Sequence, residues 1–426
     1  MSSSVGPPSP QITLLDGLDW ADCLRRPDLT ACWIRRQTGL VGLGRSLRVS
    51  LDGLAAAERW WSDLVGRLEP ARRDRPRGMG PVAFVSAPFD PGHSQSQVEL
   101  VVTQTVLGRQ GDRAWAASWG PAWERLVAAG QAAGASLAEP APSPRGSGAD
   151  GPGPVQFQPG RLSRRQWLEA VERAIAEIRA GRLDKVVLAR DRLATAEREI
   201  APGWLLAGLL QRYPDTWVFA VEGLIGATPE LLVRRDRGLV TSRVLAGTIL
   251  RRGPHDGEDL ARALSQSSKD LAEHEYAVAS VASGLEPYCS AMNVPETPFV
   301  LRLPNVMHLA SDITGVCRGD VSVLELARAV HPSAAVCGTP TDQARRAIRQ
   351  LEGMDRGRYA GPVGWVGADG DGDIGIALRC GQLTPDRREL RLYAGCGIVA
   401  DSQPEAEWSE TEAKLTVMRQ ALGADD

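Results

Sequence analysis

The order in which strands and helices follow one another is the feature that most constrains how this chain can fold. Alternating or β-branched runs predict strands at KVVLAR, WVFAVEG, GLVTSRVLAG, DIGIALRCGQL and ELRLYAGCGIVA. Helical periodicity predicts helices over 257–285, 321–330, 341–353 and 404–420, and these lie in clusters instead of alternating with the strands. A doubly wound fold requires regular alternation, so the sequence predicts the α+β class with large antiparallel sheets.

A stretch rich in Pro, Gly and Ser divides the chain. Residues 139–160, EPAPSPRGSGADGPGPVQFQPG, cannot bury much apolar surface and predict a flexible connection. The expected organisation is an N-terminal part, 1–138, which completes the fold, followed by the connection and a C-terminal region, 161–423. That region opens with a predicted helix for which Ser163 is the N-cap and Gly181 the stop signal.

Composition excludes several classes of protein. The net charge of −3 indicates neither a nucleic-acid partner nor a membrane surface, and no run of about 18 apolar residues predicts a membrane span. The start, MSSSVGPPSPQ, lacks the basic and apolar regions of a secretory signal, so a cytoplasmic location is expected. Seven cysteines, odd in number and without a CxxC pair, indicate reduced thiols and no zinc site.

Lysine is rare in this chain, which makes each lysine informative. The 49 basic residues include only three lysines: Lys185, Lys269 and Lys414. Arginine stays protonated at any working pH, whereas a desolvated lysine can lose its proton. Lys185, at the start of the strand KVVLAR, is therefore a candidate base, and the alternative is a solvated strand end.

Two predicted helices carry paired carboxylates three residues apart. Glu407 and Glu410 share one face of the helix PEAEWSETEAKL with Lys414, and Asp270 and Glu273 share a face of SSKDLAEHEYAVASV. Hard oxygen ligands without cysteine favour Mg²⁺, which prefers to share its coordination shell with an anionic substrate. The alternative is a solvated helix with an intrahelical Glu410–Lys414 pair.

Glycine and arginine in two C-terminal strands suggest an anion site. In GCGIVADS, glycines flank Cys396, and around Gly397 they let backbone N–H groups approach an anion, although a tight bend is an equal alternative. In DIGIALRC, alternation places Arg379 on a face of small residues that leaves space for a carboxylate. Tyr359, in GRYAG, could add a hydroxyl group.

Two further segments suggest acid chemistry and a small pocket wall. Glu230 follows Pro229 and leads into an apolar strand, where burial would raise its pKa and make it a general acid. The alternative is an exposed glutamate at a strand end. The run Ala246, Gly247 and Thr248 in SRVLAGTI offers a small surface and one hydroxyl.

Eight segments in this order resemble the chorismate-utilising enzymes. They are KVVLAR, GATPELL, LAGT, KDLAEH, HPSAAVCGTP, GRYAGPVGW, IALR and AGCGIVADSQPEAEWSETEAKL, and they cover roughly residues 160–420. The resemblance implies the chorismate-binding fold of anthranilate synthase component I, in which two large, mainly antiparallel sheets pack together with helices outside. It also implies a monomer with chorismate as substrate.

The resemblance assigns a role to each metal-binding candidate. Glu273 and Glu410 would hold Mg²⁺, with Glu407 beside them and Asp270 near the coordination shell. The metal would bind the ring carboxylate of chorismate, and Lys414 would lie near the metal carboxylates.

The resemblance also assigns the groups that contact and convert the substrate. Tyr359, Arg379 and the backbone N–H groups around Gly397 would bind the enolpyruvyl carboxylate, and His308 in NVMHL would line the pocket. Lys185 would be the general base and Glu230 the general acid.

Ala246 and Ala335 distinguish among the reactions that members of this family catalyse. Relatives that make aminodeoxychorismate carry a nucleophilic lysine in PIKGT, where this chain has Ala246, so water activated by Lys185 is the expected nucleophile. Salicylate-forming relatives carry threonine where this chain has Ala335. The expected activity is therefore an isochorismate synthase, with a salicylate synthase, an ammonia-using anthranilate or aminodeoxychorismate synthase, and a non-catalytic paralogue as alternatives.

Overall fold

A computed structural model describes residues 7–69, 75–139, 151–250, 257–303 and 306–424. The described residues form an α+β fold, as predicted. The strands are β1 Gln11–Leu15, β2 Leu29–Arg35, β3 Thr38–Leu51, β4 Val82–Ser86, β5 Val98–Gln110, β6 Arg113–Ser118, β7 Ser136–Ala138, β8 Val155–Pro159, β9 Lys185–Ala196, β10 Trp217–Val221, β11 Leu224–Thr228, β12 Leu231–Asp236, β13 Leu239–Leu250, β14 Cys289–Asn293, β15 Phe299–Arg302, β16 Val306–Cys317, β17 Gly338–Thr339, β18 Pro362–Gly367, β19 Gly372–Ile376, β20 Cys380–Leu383 and β21 Glu389–Ile398.

Ten α-helices accompany these strands in the described part of the chain. They are α1 Trp20–Leu24, α2 Leu54–Val65, α3 Trp123–Ala132, α4 Arg164–Arg179, α5 Pro202–Arg212, α6 Gly257–Gln266, α7 Ser268–Leu285, α8 Val323–Val330, α9 Thr341–Glu352 and α10 Pro404–Ala421. Among the described residues, no helix combines the length and the apolar character that crossing a membrane requires.

Antiparallel pairing joins the strands into one continuous network. One half runs through β16, β13, β12, β19, β18, β4 and β5. The other half runs through β3, β2, β10, β11, β20, β21 and β9. The long strands β3 and β5 pair with each other, so the two expected sheets are connected by hydrogen bonds.

The N-terminal third contributes strands to both halves of this network. Strand β4 pairs with β18, and β2 pairs with β10, so the N-terminal residues complete both halves. Of the predicted connection, residues 140–150 lie outside the described residues. The predicted connection also includes regular structure, because its residues Val155–Pro159 form β8, which pairs with β9.

Local sequence signals set several helix ends as predicted. Ser163 caps α4 with a reciprocal capping box that involves Gln166, and Gly181 follows the helix with a φ of 72°. The helix predicted over 257–285 is instead two helices. Ser267 separates them because its side chain accepts a hydrogen bond from the N–H of Asp270 and caps α7.

The prediction of a single strand over DIGIALRCGQL is wrong. Strand β19 ends at Ile376 and β20 begins at Cys380, with a turn in which the N–H of Leu378 bonds to the carbonyl oxygen of Ile376. Arg379 has a φ of 48°, in the left-handed region. The direction of its side chain is therefore set by this turn and not by strand alternation.

Candidate active site

A small cavity of about 60 Å³ lies where the two halves of the strand network meet helices α7 and α10. Twelve of the sixteen sequence-predicted site residues line it: Glu230, Ala246, Gly247, Thr248, Glu273, His308, Ala335, Tyr359, Arg379, Cys396, Gly397 and Lys414. The four others, Lys185, Asp270, Glu407 and Glu410, are not among its lining residues. Residues that are far apart in the chain therefore converge on one cavity.

Lys185 lies directly behind the cavity wall. Its side chain is fully buried, and its Nζ is 3.1 Å from Oε1 of Glu273, which does line the cavity. The alternative of a solvated strand end is thus wrong. Burial alone would raise the pKa of Glu273, but Lys185 and, more weakly, Lys414 hold that pKa below its usual value.

All three lysines of the chain pair with the three candidate metal-binding glutamates. Lys185 pairs with Glu273 at 3.1 Å, Lys269 with Glu407 at 2.8 Å, and Lys414 with Glu410 at 2.5 Å. The first and the last lysine are buried, as is Glu407. The Glu410–Lys414 pair exists, but its burial contradicts the alternative of a solvated helix face.

Asp270 supports the pocket from outside. One of its carboxylate oxygens accepts a hydrogen bond from the N–H of Thr248 at 3.2 Å, and the other accepts one from the Ser267 hydroxyl at 2.5 Å. A side chain on Gly247 would lie 2.9 Å from Cβ of Asp270, and Gly247 has a φ of 75°. Asp270 thus packs against the bulge in β13 that presents Thr248 to the cavity.

A chain of polar contacts fixes the guanidinium group of Arg379. Nε2 of His308 lies 3.0 Å from an Arg379 guanidinium nitrogen, and Nδ1 of His308 lies 3.1 Å from the Thr248 hydroxyl oxygen. Arginine can only donate, so Nε2 accepts and Nδ1 carries the hydrogen that is donated to Thr248. Burial, together with Arg379 and Lys414, lowers the pKa of His308 well below its usual value, which keeps the ring neutral.

Glu230 is held as a buried carboxyl group beside these cations. It lies between β11 and β12 with only 4% of its surface exposed, so the alternative of an exposed strand end is wrong. Burial raises its pKa to about 8, although Lys185, Arg379 and Lys414 each act in the opposite direction. At neutral pH the carboxyl group therefore carries a proton that it can donate.

Glycines in β21 let charged groups approach the backbone closely. A side chain at Gly397 would lie 2.2 Å from Oε1 of Glu273 and 3.0 Å from Cε of Lys185, so glycine leaves the space that the Glu273–Lys185 pair occupies. Cβ on Gly395 would lie 3.2 Å from the Tyr359 hydroxyl, whose ring stacks on Tyr393 at 5.0 Å. Burial raises the pKa of the Cys396 thiol between these glycines well above its usual value, so it stays uncharged.

A buried ion pair that no sequence motif indicated holds the pocket together. Arg356 lines the cavity, and its guanidinium donates to the carbonyl oxygens of Val187 and Val336 and to Glu352. Glu352 in turn accepts from the N–H of Ala189 at 2.7 Å. The only sequence signal is the spacing of four residues between the two charges, which resembles a surface helix pair.

The donor chemistry of the three glutamates fits a hard divalent cation. Burial would lower the pKa of Lys269, but Glu407, Glu410 and Glu273 together raise it. Lys269 therefore interacts electrostatically with all three carboxylates. In the described part of the chain, no three His, Cys, Asp or Glu side chains are gathered closely enough to hold an ion as they stand. Each carboxylate is instead neutralised by a lysine.

Comparisons with known proteins agree on one family. A family model described as "Chorismate binding enzyme" matches residues 9–423. The chain is 41% identical over 266 residues to a salicylate biosynthesis isochorismate synthase of Pseudomonas aeruginosa, and 41% identical over 272 residues to an isochorismate synthase of Bacillus subtilis. The matched segments cover 61% of this chain in both cases, and 55% and 68% of the relatives' own lengths.

Solved structures extend the similarity to the whole chain. The menaquinone-specific isochorismate synthase of Escherichia coli superposes with a TM-score of 0.74 at 25% identity, over 99% of this chain and 96% of that chain. DhbC from Bacillus anthracis superposes with a TM-score of 0.77 at 28% identity, over 96% of this chain and 100% of that chain. Anthranilate synthase component I from Streptococcus pneumoniae shares the fold, with a TM-score of 0.68 at 21% identity.

Proposed function

The chain belongs to the family of chorismate-binding enzymes, and from this premise we propose that it is an isochorismate synthase that converts chorismate to isochorismate. One observation carries the proposal: Glu230 is a buried carboxyl group whose pKa burial raises to about 8, in the same cavity as Arg379. Such a group suits the protonation of a leaving hydroxyl, and Ala246 offers no amine at the position where aminodeoxychorismate-forming relatives carry a nucleophilic lysine.

The proposed reaction uses Glu230 in the cavity wall and Lys185 directly behind that wall. Lys185 would remove a proton from water as the water oxygen forms a bond to ring C2. The ring double bonds shift, the C4–O bond breaks, and Glu230 gives its proton to the departing hydroxyl, which leaves as water. Lys185 gains one proton and Glu230 loses one, so the charge balances over the step.

Substrate carboxylates explain the other polar groups of the cavity. Arg379, oriented by neutral His308, would pair with the enolpyruvyl carboxylate, and the Tyr359 hydroxyl would add a hydrogen bond. The ring carboxylate would lie toward Glu273 and Glu410, where a bound Mg²⁺ would supply charge neutralisation and orientation. Holding both carboxylates would place C2 and C4 between the proposed base and the proposed acid.

We expect Glu410→Gln to weaken Mg²⁺ binding by roughly ten-fold or more, because a charged ligand becomes a neutral amide. The measurement is calorimetric titration of the protein with Mg²⁺. Glu405→Gln, on the exposed side of the same helix, is the matched control and should leave the titration unchanged. Equal Mg²⁺ affinity in the wild type and Glu410→Gln would remove this helix from the metal site.

Product identification separates the proposed reaction from its alternatives. The protein is incubated with chorismate and Mg²⁺, and the products are separated by chromatography. Isochorismate without pyruvate is expected. Stoichiometric pyruvate with salicylate would instead indicate a salicylate synthase, and ammonia-dependent anthranilate an ammonia-using relative. Ala335 at the cavity wall favours the first outcome.

The state of the thiols supports the proposed compartment. All seven cysteines are free, and six of them are buried. Reduced thiols fit the cytoplasm, where disulfides are rare, and we propose that the enzyme works there as a monomer.

A further inference from the structure

Two cysteines of the chain face each other across neighbouring strands. Cys289 begins β14 and Cys317 ends β16, and the register of these antiparallel strands places the two residues directly opposite each other. All seven cysteines lie in the described residues, and no other two of them are partners in a strand ladder. Neither Cys289 nor Cys317 has a role in the proposed reaction.

A backbone hydrogen bond shows which kind of cross-strand pair this is. The N–H of Arg318 donates to the carbonyl oxygen of Tyr288 at 2.7 Å. This bond joins the residue after Cys317 to the residue before Cys289, which defines the two cysteines as a non-hydrogen-bonded pair. In such pairs the Cα atoms lie about 4.5 Å apart, within the range of about 4.4–6.8 Å that a disulfide requires. The strands therefore already hold the two Cα atoms at a separation that a disulfide can bridge.

The side chains of the two cysteines lie on the same face of the sheet. Cβ on Gly315 would lie 2.8 Å from Sγ of Cys289, so the Cys289 side chain extends over β16 on the face that Gly315 shares with Cys317. Burial raises the pKa of the Cys289 thiol, and the nearby Cys317 thiol adds to this effect. The Arg318 guanidinium fixes this end of the ladder, because its Nε donates to the carbonyl oxygen of Cys289 at 2.7 Å.

The two thiols differ in their access to solvent. Cys289 is 3% exposed, whereas Cys317 is half-buried at the end of its strand. Of the seven cysteines, all within the described residues, Cys317 alone is not buried. A small oxidant in solution therefore reaches Cys317 first, and Cys289 is the thiol that completes a bond from behind.

We propose that Cys289 and Cys317 form a reversible dithiol–disulfide site whose oxidant is a small disulfide of the glutathione class. The Cys317 thiolate attacks one sulfur atom of the small disulfide and expels one thiolate, which leaves a mixed disulfide on Cys317. The Cys289 thiolate then attacks the Cys317 sulfur and expels the second. The two protein thiols thus lose two electrons and two protons, which the small disulfide takes up as it becomes two thiols.

The state of this site would follow the thiol pool of the compartment. The reducing pool of the cytoplasm keeps such a pair as thiols, and a shift of that pool toward its oxidised form drives the pair to the disulfide. The same exchange in reverse returns both thiols when the pool is reduced again.

The disulfide would join elements that carry candidate active-site residues. Helix α7, which carries Glu273, continues through the single turn Glu286–Tyr288 into β14. Strand β16 carries His308, and its Ser311 hydroxyl oxygen lies 2.9 Å from Nε2 of His274 in α7. A bond between β14 and β16 is therefore expected to slow local opening at the end of α7.

The test is disulfide mapping in the full chain. The reduced protein is equilibrated with mixtures of reduced and oxidised glutathione, the exchange is stopped with acid, and the remaining thiols are alkylated in denaturant before digestion and mass spectrometry. In oxidising mixtures, the peptides that contain Cys289 and Cys317 are expected to be linked, with the loss of two hydrogen atoms. The other cysteines should remain thiols, and excess dithiothreitol should restore both linked thiols.

Three variants separate this site from the other cysteines. Cys317→Ser should abolish the link, and Cys289→Ser should leave Cys317 as a mixed disulfide with glutathione. Cys23→Ala, at a buried cysteine of α1, is the control and should keep the link. Oxidation should also raise the thermal midpoint of the wild type and of Cys23→Ala by a few degrees, but not that of the two serine variants, because only the crosslink restricts the unfolded chain.

Four outcomes would contradict the proposal. No link between Cys289 and Cys317 in any mixture overturns the site, as does a link from either of them to a different cysteine. A link that dithiothreitol leaves intact in the folded protein overturns its reversibility. Oxidation should slow hydrogen exchange in residues 281–293, and unchanged exchange there overturns the effect on α7. These measurements use no substrate, so their result is independent of the proposed function.

Discussion

Replacing Lys185 with arginine is expected to lower turnover by roughly 10²–10⁴-fold while leaving a folded protein. Arginine keeps the positive charge that Glu273 needs at 3.1 Å, so the buried ion pair is not broken. It cannot become a neutral base at a working pH, however, so water is not activated. The measurement is kcat with saturating chorismate and Mg²⁺, together with the thermal midpoint from circular dichroism.

The other lysines provide the control for this prediction. Lys269→Arg makes the same exchange at the lysine that pairs with Glu407, and it should retain turnover within about ten-fold, because no proton transfer is assigned to Lys269. Lys185→Ala gives a second measurement, since a small alkylamine added to the solution should restore part of the lost turnover. Near-normal turnover in Lys185→Arg would contradict the assignment of the base.

Replacing Glu230 with glutamine is expected to lower turnover by a similar factor, roughly 10²–10⁴-fold, with no loss of stability. Because the pKa of Glu230 is about 8, the side chain is already neutral at pH 7, and glutamine has nearly the same shape. The proton that it should donate to the leaving hydroxyl is the one property that the variant lacks. The measurement is kcat together with the free energy of unfolding, both at pH 7.

The pH dependence gives this prediction a second, independent readout. Only the protonated form of Glu230 can act as the acid, so turnover of the wild type should fall as the pH rises through about 8. In the unfolded chain the Glu230 carboxyl loses its proton near the usual pKa of glutamate, whereas in the folded state it keeps the proton up to about pH 8. The contribution of Glu230 to stability therefore decreases as the pH rises from that usual pKa to about 8, and Glu230→Gln should lack this decrease. Wild-type-like turnover in the variant would show that another group supplies the proton.

Local signals in the sequence predicted those helix ends, strands and helices whose formation depends on residues adjacent in the chain. The Ser163 cap, the strand that begins at Lys185, and the helix that carries Glu407 and Glu410 all follow from short-range patterns, and the structure contains each of them. Most of the residues predicted for the site also line one cavity. They could be predicted because their motifs follow the order of the family, which spacing alone would not have indicated.

Features that depend on long-range packing were not accessible from the sequence. Alternation placed Arg379 on a strand face, but the turn after β19 and a φ of 48° direct its side chain instead. The Arg356–Glu352 pair resembles a surface pair until burial is known.

The lysines illustrate both what the sequence could predict and what it could not. Rarity alone singled out Lys185, Lys269 and Lys414, and the sequence suggested the intrahelical partner of only one of them. The structure shows that each lysine pairs with a different one of the three candidate metal-binding glutamates.

The origin of the product hydroxyl tests the central claim most directly. Chorismate is converted at low extent with Mg²⁺ in water enriched in ¹⁸O, and the isochorismate is analysed by mass spectrometry with fragmentation. If Lys185 activates water and Glu230 protonates the departing C4 hydroxyl, the isochorismate carries one ¹⁸O atom, in the hydroxyl at C2. Isochorismate without label would mean that the hydroxyl migrates within the substrate, which would contradict the proposed roles of both residues.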